Sequence, residues 1–207
     1  KRLPHTENQG FQALIEANGL TGERITAYHV GFVLGPCINA SGRLDTAARS
    51  LALLNAKTKE EAARLAGDLT ALNQSRKALT EKGKEEAIRI IETTELKNDR
   101  VLVVYLPDCH ESLAGIIAGR IREKYHRPAF VLTGGETSAK GSGRSIESYS
   151  MYEELVKCAD LMIQFGGHPM AAGLSIEEKN IEEFRRRLNV NCTLTDEELR
   201  PKIVIDV

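Results

Sequence analysis

The sequence lacks the features that mark several common protein classes. Its four cysteines, Cys37, Cys109, Cys158 and Cys192, form no CxxC pair, so neither a zinc knuckle nor a disulfide framework is indicated, and reduced thiols in a cytoplasm are expected. No apolar run reaches the ~18 residues that span a bilayer, and the first ten residues have no signal-peptide core. The formal net charge of −1 excludes a uniformly basic nucleic-acid binder but allows a local positive groove.

The chain also has no low-complexity tract, so it is expected to fold. With 207 residues, 42% of them hydrophobic and 28% charged, it is long enough for one full core, or for one core with an appended element. The chain does not begin with Met, and Ile203, Ile205 and Val207 alternate with other residues as in a strand. The sequence is therefore interpreted as a fragment of a longer protein.

The first half of the sequence has the patterns of helices. Residues 9–19 predict a short helix with Gly19 beyond its end. Residues 23–36 fit either a buried extended segment or a second helix, followed by a turn at Gly35-Pro36. A further helix is expected to begin near Leu44.

A long helix follows in the middle of the chain. Thr58 and Glu61 predict a capping box that opens it, and apolar or small residues then recur in steps of three and four to about Glu92. At ~1.5 Å per residue, this helix would be roughly 50 Å long. A helix of this length usually spans or joins domains.

The second half of the sequence alternates between strand and helix patterns. Strands are predicted at residues 100–106, 128–133, 139–146 and 171–177, and helices at residues 111–125, 150–160 and 179–189. In the helix at 111–125, Gly115 and Gly119 predict a bare backbone patch for close packing. The fold class is therefore α/β (α+β): a helical connector with one long helix, then a mixed sheet of about 4–5 strands flanked by helices. The expected domain boundaries are 1–57, 58–96, 97–190 and 191–207.

Two clusters of polar residues border predicted helices. Asn39 and Arg43 lie in GPCINASGRLD, just before the helix expected near Leu44. Because a positive charge is mildly unfavourable at a helix start, by roughly 0.3–1 kcal/mol, Arg43 indicates a bound anion there, with a salt bridge to Asp45 or Glu61 as the alternative. His110 follows a strand and precedes a helix, where ligands of α/β sheets gather, but a lone histidine also serves as a helix cap or faces solvent.

Two further clusters are rich in glycine. In SAKGSGRSIES, Lys140, Ser142 and Arg144 surround two glycines, which fits either a turn or an anion cradle of backbone N–H groups and side chains. In QFGGHPMAAG, Gly166 and Gly167 precede His168, which fits either a close approach to a ligand or a tight loop leading into a strand. None of the clusters carries the carboxylates of a metal site, so together they predict anion recognition without a metal.

Four motifs, in this order, resemble the DHH phosphoesterase superfamily: GFVLGPCINASGRLDTA, HESLAGIIAGRI, KGSGRS and FGGHPMAAG. Residues 97–190 are similar to its DHHA1 domain. The element GP..NA.GR resembles the single-strand-specific 5′→3′ DNA exonucleases of the superfamily more than its shorter members. The resemblance implies a two-lobed nuclease in which residues 58–96 form the connecting helix and residues 191–207 begin an OB-fold-like domain.

The resemblance also implies roles for the polar residues. Arg43 would face the cleft from the connector region, and Ser142 with Arg144 would hold a 5′ phosphate. Asn39 and Lys140 would also belong to the substrate-binding residues. The implied substrate-binding residues further include His110, Gly166, Gly167 and His168, which would line the DNA path. Two positions depart from the pattern: Cys37 stands where Arg or Lys is frequent, and Cys109 where Trp is frequent.

The motifs that hold Mn²⁺ or Mg²⁺ in the superfamily are absent from this sequence, so the fragment alone is expected to have no catalytic or metal-binding residues and no nuclease activity. The expected partners are single-stranded DNA and the missing DHH and OB-fold domains of the same chain, without a membrane. The implied process is DNA repair and recombination. The alternatives are an oligoribonuclease or cyclic-dinucleotide phosphodiesterase of the superfamily, or a stand-alone nucleic-acid-binding module.

Overall fold

The computed structural model describes residues 6–201. The chain divides into two compact units, residues 1–79 and 80–207, which are described separately below. Within residues 6–201, no helix combines the length and apolar character needed to cross a membrane. The strand expected at 203–207 lies outside the described residues, and the domain boundaries expected from the sequence remain predictions.

The first unit is helical. It contains α1 (Gln9–Ala17), the single turn α2 (Ala27–His29), a π-helical turn (Val30–Leu34), α3 (Gly35–Leu44), α4 (Ala48–Asn55) and the first part of α5 (Lys59–Thr93). The side chain of Asn8 caps α1 by accepting a hydrogen bond from the backbone N–H of Phe11 at 3.0 Å. The helices bury a common core. Its members include Leu14, Leu34, Cys37, Leu53, Leu65 and Leu69.

For residues 23–36, the sequence left open a buried extended segment or a second helix. The structure has a helix there, because α2 and the π-helical turn lie directly before α3. The expected turn at Gly35-Pro36 is wrong, because Gly35 has helical dihedral angles of φ −58° and ψ −46° and Pro36 lies in the first turn of α3. Proline is tolerated there, since the first N–H groups of a helix have no intrahelical partner. The helix expected to start near Leu44 instead ends at that residue, and α4 begins at Ala48.

The long helix is confirmed as α5, Lys59–Thr93, with 35 residues. The hydroxyl of Thr58 accepts a hydrogen bond from the backbone N–H of Glu61 at 3.2 Å. The Glu61 carboxylate accepts a hydrogen bond from the backbone N–H of Lys57 at 3.2 Å. In a standard capping box the donor would be the N–H of the N-cap residue, Thr58. Two polar caps therefore define the start of this helix.

The second unit contains a five-stranded mixed sheet, which confirms the predicted fold class. The strands are β1 (Leu102–Leu106), β2 (Ala129–Thr133), β3 (Ala139–Arg144), β4 (Met162–His168) and β5 (Ala171–Ile176), in the order β1-β2-β3-β5-β4. β1 and β2 are parallel, and all other neighbours are antiparallel. β4 is missing from the sequence-based prediction, because its glycine pair has the composition of a loop.

Helices cover both faces of the sheet. They are α6 (Glu111–Tyr125), α7 (Met151–Val156) and α8 (Ile181–Val190), with short 3₁₀ helices at Glu95–Asn98, Ala159–Leu161 and Glu178–Asn180. α6 and the end of α5 bury one face of β1 and β2, while α7 and α8 pack on the other face, around Phe130 and Phe184. The strands alternate between these two cores, because successive side chains of a strand point to opposite faces.

Candidate nucleic-acid interface

The central strand β3 separates its polar residues from its glycines. Lys140, Ser142 and Arg144 alternate along β3 and pair with Thr133, Val131 and Ala129 of β2, so they share the sheet face on which α6 packs. Lys140 is exposed, whereas Ser142 and Arg144 are half-buried. A hydroxyl between two cations therefore lies along one accessible face.

Gly141 and Gly143 point to the opposite face and do not form a backbone anion cradle. A Cβ at Gly143 would lie 2.5 Å from Met151 Sδ and 2.6 Å from Phe130 Cε1, so this position leaves room for two core side chains. β3 also pairs with β2 on one side and β5 on the other, which commits its backbone N–H groups to the sheet. Of the two alternatives for these glycines, neither the turn nor the backbone anion cradle holds, because both residues lie within β3, and any anion recognition by β3 depends on its side chains.

The strand register extends this face across β5 and β4. Each polar residue of β3 lies in a cross-strand row with one residue of β5 and one of β4. The rows are Lys140–Ser175–Gln164, Ser142–Gly173–Gly166 and Arg144–Ala171–His168. The middle residue of each row, on β5, is therefore small, whereas the larger polar side chains lie at the ends of the rows, on β3 and β4. We call this array of rows the sheet groove.

The first two rows of the sheet groove line a cleft of about 560 Å³, together with Glu111, Ser112 and Ala114 of α6, whereas Arg144 and His168 lie outside the lining of this cleft. His110 is the N-cap of α6, and its Nδ1 accepts a hydrogen bond from the N–H of Ser112 at 3.3 Å. The capping alternative for His110 is therefore confirmed. The start of a helix favours anions because its first N–H groups point outward.

The neighbouring cysteine is chemically passive. Burial raises the pKa of the Cys109 thiol, so it is protonated near neutral pH. Its Sγ lies 3.6 Å from the point where a Cβ on Gly83 of α5 would stand. Cys109 therefore packs against α5 rather than serving as a nucleophile.

Gly166, Gly167 and His168 lie on strand β4, not in the loop suggested by the alternative interpretation. β4 and β5 form a hairpin closed by Pro169 and Met170, since His168 pairs with Ala171. Gly167 has φ 153°, and a Cβ there would lie 2.4 Å from the carbonyl oxygen of Ala171. A Cβ on Gly166 would meet no atom within 4 Å. Gly167 is thus required by the fold, whereas Gly166 leaves the floor of the sheet groove bare.

Arg144 lies at the end of the groove beside α6. Its Nη1 donates a hydrogen bond to the carbonyl oxygen of Gly143 at 2.7 Å. A Cβ on Gly115 would come within 2.7 Å of Arg144 Nη2, so this glycine makes room for the guanidinium. Gly119 has no atom within 4 Å of its Cβ position, so the expected close packing holds only at Gly115.

Asn39 and Arg43 lie in the first unit, both on α3. Asn39 is exposed and Arg43 is half-buried. Arg43 stands in the last turn of α3, where a cation is favourable, so the prediction that it opens a helix is wrong. The carboxylate of Asp45 pairs with Arg49 at 2.5 Å.

Two groove residues are absent from the sequence-based set. Gln164 Nε2 donates a hydrogen bond to Ser175 Oγ at 3.3 Å, and Ser175 is buried. The segments on either side of Pro169-Met170 are the two strands of one hairpin. Had the sequence analysis recognised this, the alternation of side chains along each strand would have put Gln164 and Ser175 on the same face as Ser142. Among residues 6–201, no group of three or more His, Cys, Asp or Glu side chains is placed to hold a metal ion.

Comparison with known proteins agrees with this architecture. The DHHA1 domain family model matches residues 98–192. The single-stranded-DNA-specific exonuclease RecJ of Salmonella typhimurium is 41% identical over 186 residues, which are 86% of this chain and 32% of RecJ. RecJ of Bacillus subtilis is 35% identical over 211 residues, which cover 100% of this chain and 27% of that protein.

Solved structures give the same result. The crystal structure of RecJ from Thermus thermophilus in complex with Mg²⁺ has a TM-score of 0.81 and 33% identity, covering 91% of this chain and 29% of that chain. The chain spans about a third of the length of the curated relatives. Residues 98–192 therefore match the DHHA1 domain family, and the chain as a whole is similar to the region of RecJ exonucleases that contains this domain.

Proposed function

We propose that the protein containing this chain is a single-strand-specific 5′→3′ exodeoxyribonuclease, and that this chain binds single-stranded DNA and its 5′ phosphate. The observation that carries the proposal is the strand register that places Lys140, Ser142, Arg144 and His168 around a floor of small residues. The similarity to proteins named single-stranded-DNA-specific exonucleases supports the choice of ligand.

The side chains of the sheet groove suit binding to the sugar-phosphate backbone of DNA. Lys140 and Arg144 would attract phosphate oxygens, and the Ser142 hydroxyl would donate a hydrogen bond between them. The exposed backbone at Gly166 and Gly173 permits close approach of a flat ligand. Contacts of this kind ignore base identity, so we expect a sequence-tolerant affinity that falls with rising salt.

The remaining site residues would extend this contact. Gly167 holds the hairpin that carries His168, and His110 caps the helix beside the groove. In the first unit, we propose Asn39 and Arg43 as further substrate-binding residues. We place the chain in DNA repair and recombination and in the cytoplasm, a location supported by its four unpaired thiols.

Hydrolysis itself would depend on residues outside this chain. RecJ of Thermus thermophilus has been solved with Mg²⁺ and with Mn²⁺. A divalent ion of this kind generates a hydroxide nucleophile and stabilises charge on the phosphate. The residues of this chain would bind and orient the strand, next to a DHH lobe and an OB-fold of the same protein. The isolated chain with added Mn²⁺ should therefore degrade no DNA, and digestion by pure material would contradict this division of roles.

The 5′-phosphate assignment can be tested in the full-length protein with Ser142→Ala and Arg144→Gln. Both variants should lose about tenfold in activity on 5′-phosphorylated single strands, because each removes one contact to the phosphate. The loss should be smaller on 5′-hydroxyl strands. Ser148→Ala and Arg186→Gln are matched controls, because both residues are exposed and lie outside the groove. Equal rates of the Ser142 and Arg144 variants and wild type on phosphorylated ends would refute the assignment.

A further inference from the structure

The cleft at the first two rows of the sheet groove has a lining without net charge. Within residues 6–201, its charged lining residues are Lys140 and Glu111, which have opposite signs. The other polar side chains of the lining are three serines and Gln164. The volume of about 560 Å³ lies in the range of small-ligand pockets. A lining of this kind suits the neutral part of a nucleotide, its sugar and base, better than a second phosphate.

The second row gives the cleft a floor of bare backbone. Ser142 pairs with Gly173, Gly173 pairs with Gly166, and both glycines are exposed. A Cβ at Gly166 would meet no atom within 4 Å, and a Cβ at Gly173 would lie 3.8 Å from the nearest one. Because neighbouring strands lie about 4.8 Å apart, this row extends roughly 10 Å across the sheet from Ser142. A nucleotide whose phosphate contacts Ser142 would therefore place its base over the two glycines.

Gln164 lies beside this floor. It precedes Gly166 by two residues on β4, so its side chain shares the same face of the sheet about 6.8 Å farther along the strand. Its Nε2 donates a hydrogen bond to Ser175 Oγ at 3.3 Å, and Ser175 is 4% exposed. A buried hydroxyl therefore holds the amide of an exposed glutamine. A base lying on the glycine floor would have one edge toward this amide.

The amide of Gln164 retains one donor and one acceptor for a ligand. Its nitrogen carries two hydrogens, so the bond to Ser175 leaves one N–H of Nε2 and the oxygen Oε1. Each of the four bases has a donor next to an acceptor on its Watson–Crick edge, and a glutamine amide can pair with both. In a duplex, this edge is occupied by the partner base. An amide held at this place therefore discriminates unpaired from paired nucleotides without selecting a sequence.

We propose that the cleft binds the sugar and base of the 5′-terminal nucleotide, and that Gln164 pairs with the Watson–Crick edge of that base. Ser175 is the residue that positions Gln164. The inference rests on the proposed function, because that function supplies the ligand and places its phosphate at Ser142. It deepens that function by naming a residue that selects single strands through the base rather than through the phosphate.

The test measures DNA binding by the full-length protein in EDTA, which prevents hydrolysis. The first probe is a 5′-phosphorylated oligothymidylate of about 12 nucleotides with a 3′ fluorescein. In the second probe, the terminal base is 3-methylthymine, whose methyl group replaces the N3–H donor of the Watson–Crick edge. Wild type should bind this probe about tenfold more weakly, because two hydrogen bonds are lost. A third probe with a terminal uracil, which lacks only a methyl group on another edge, should bind like the first.

Substitutions then assign the difference between the first two probes to a residue. Gln164→Met keeps the length of the side chain but removes the amide, so it should bind both probes about tenfold more weakly than wild type binds the first. Ser175→Ala leaves the amide unheld, so the difference between the probes should shrink to about threefold. Gln74→Met is the matched control and should behave as wild type, because Gln74 is exposed on α5 and lies outside the lining of the cleft.

Equal binding of the first two probes by wild type overturns the inference, and this comparison requires no variant. A tenfold difference that persists in Gln164→Met also overturns it, because another residue would then contact the edge. A full difference in Ser175→Ala would remove the positioning role of Ser175. If Ser142→Ala weakens binding of the first probe while Gln164→Met binds both probes as wild type does, the inference fails and the proposed function stands. If wild type does not bind the first probe, both fail.

Discussion

Adjacent glycines on β4 allow the requirements of folding and of binding to be separated. At Gly167, an alanine would have to adopt φ 153° with its Cβ 2.4 Å from the Ala171 carbonyl oxygen and 2.6 Å from Ala172 Cα. At Gly166, a Cβ would meet no atom within 4 Å, and the backbone lies outside the left-handed region. Alanine at Gly167 therefore tests the stability of the fold, whereas alanine at Gly166 tests access of a ligand to the sheet groove.

The expected magnitudes differ clearly. Backbone strain of about 1–3 kcal/mol and overpacking of similar size predict that Gly167→Ala lowers the free energy of unfolding by about 2–4 kcal/mol. Gly166→Ala should change it by less than about 0.5 kcal/mol, as for other surface substitutions. Its methyl group would nevertheless stand on the floor of the sheet groove. If DNA lies against this floor, binding should weaken at least about fivefold, which corresponds to about 1 kcal/mol of steric cost.

Urea unfolding and anisotropy with a single-stranded oligonucleotide would measure the two effects in the full-length protein. The expected pattern is a lower urea midpoint for Gly167→Ala, and an unchanged midpoint with weaker binding for Gly166→Ala. Wild-type affinity in a stable Gly166→Ala protein would show that no ligand approaches the bare floor, and would refute the role given to the groove. A stable Gly167→Ala protein would contradict the structural requirement at that position.

Two predictions concern stability alone. Thr58→Ala should lower the free energy of unfolding of the first unit by about 1 kcal/mol, because α5 loses its N-cap. Thr58→Ser should retain wild-type stability. Equal urea midpoints for the two variants would contradict the cap. Burial raises the pKa of the Tyr149 phenol, and the charge of Glu154 adds to this effect. Because an unfolded tyrosine ionises near pH 10, the contribution of Tyr149 is fully present below that pH and is lost as the pH rises above it. Tyr149→Phe should therefore lose less stability between pH 9 and pH 11 than wild type, measured by urea midpoints, and equal losses would argue against the buried phenol.

Local patterns predicted most of the elements. The apolar repeat at 111–125 matches α6, Glu111–Tyr125, and the pattern with its cap at Thr58 matches α5, Lys59–Thr93. These elements depend on hydrogen bonds and side-chain contacts within a few residues, so periodicity and capping are sufficient to place them. The glycine signal was right at Gly19, which follows the end of α1, but glycine or proline signals were misleading at Gly35-Pro36 and in β4.

The candidate site was only partly predictable for the same reason. Lys140, Ser142 and Arg144 do share one face of the sheet, but the neighbouring glycines, which fitted either a turn or an anion cradle, serve the core: Gly141 makes room for Leu174 and Leu132, and Gly143 for Met151 and Phe130. Nothing local distinguishes these two uses of glycine. The difference lies in which residue of a distant segment faces each position.

The amino-acid sequence by itself determined the helices, the number of sheet strands to within one, and the polar residue types available for binding a phosphate. The tertiary structure decided which of these residues share a surface, that Gly166 is open while Gly167 is not, and that the buried hydroxyl of Ser175 holds the amide of Gln164. Periodicity reports on contacts a few residues apart, whereas strand register and core packing depend on hydrogen-bond ladders and side-chain contacts between segments that are remote along the chain.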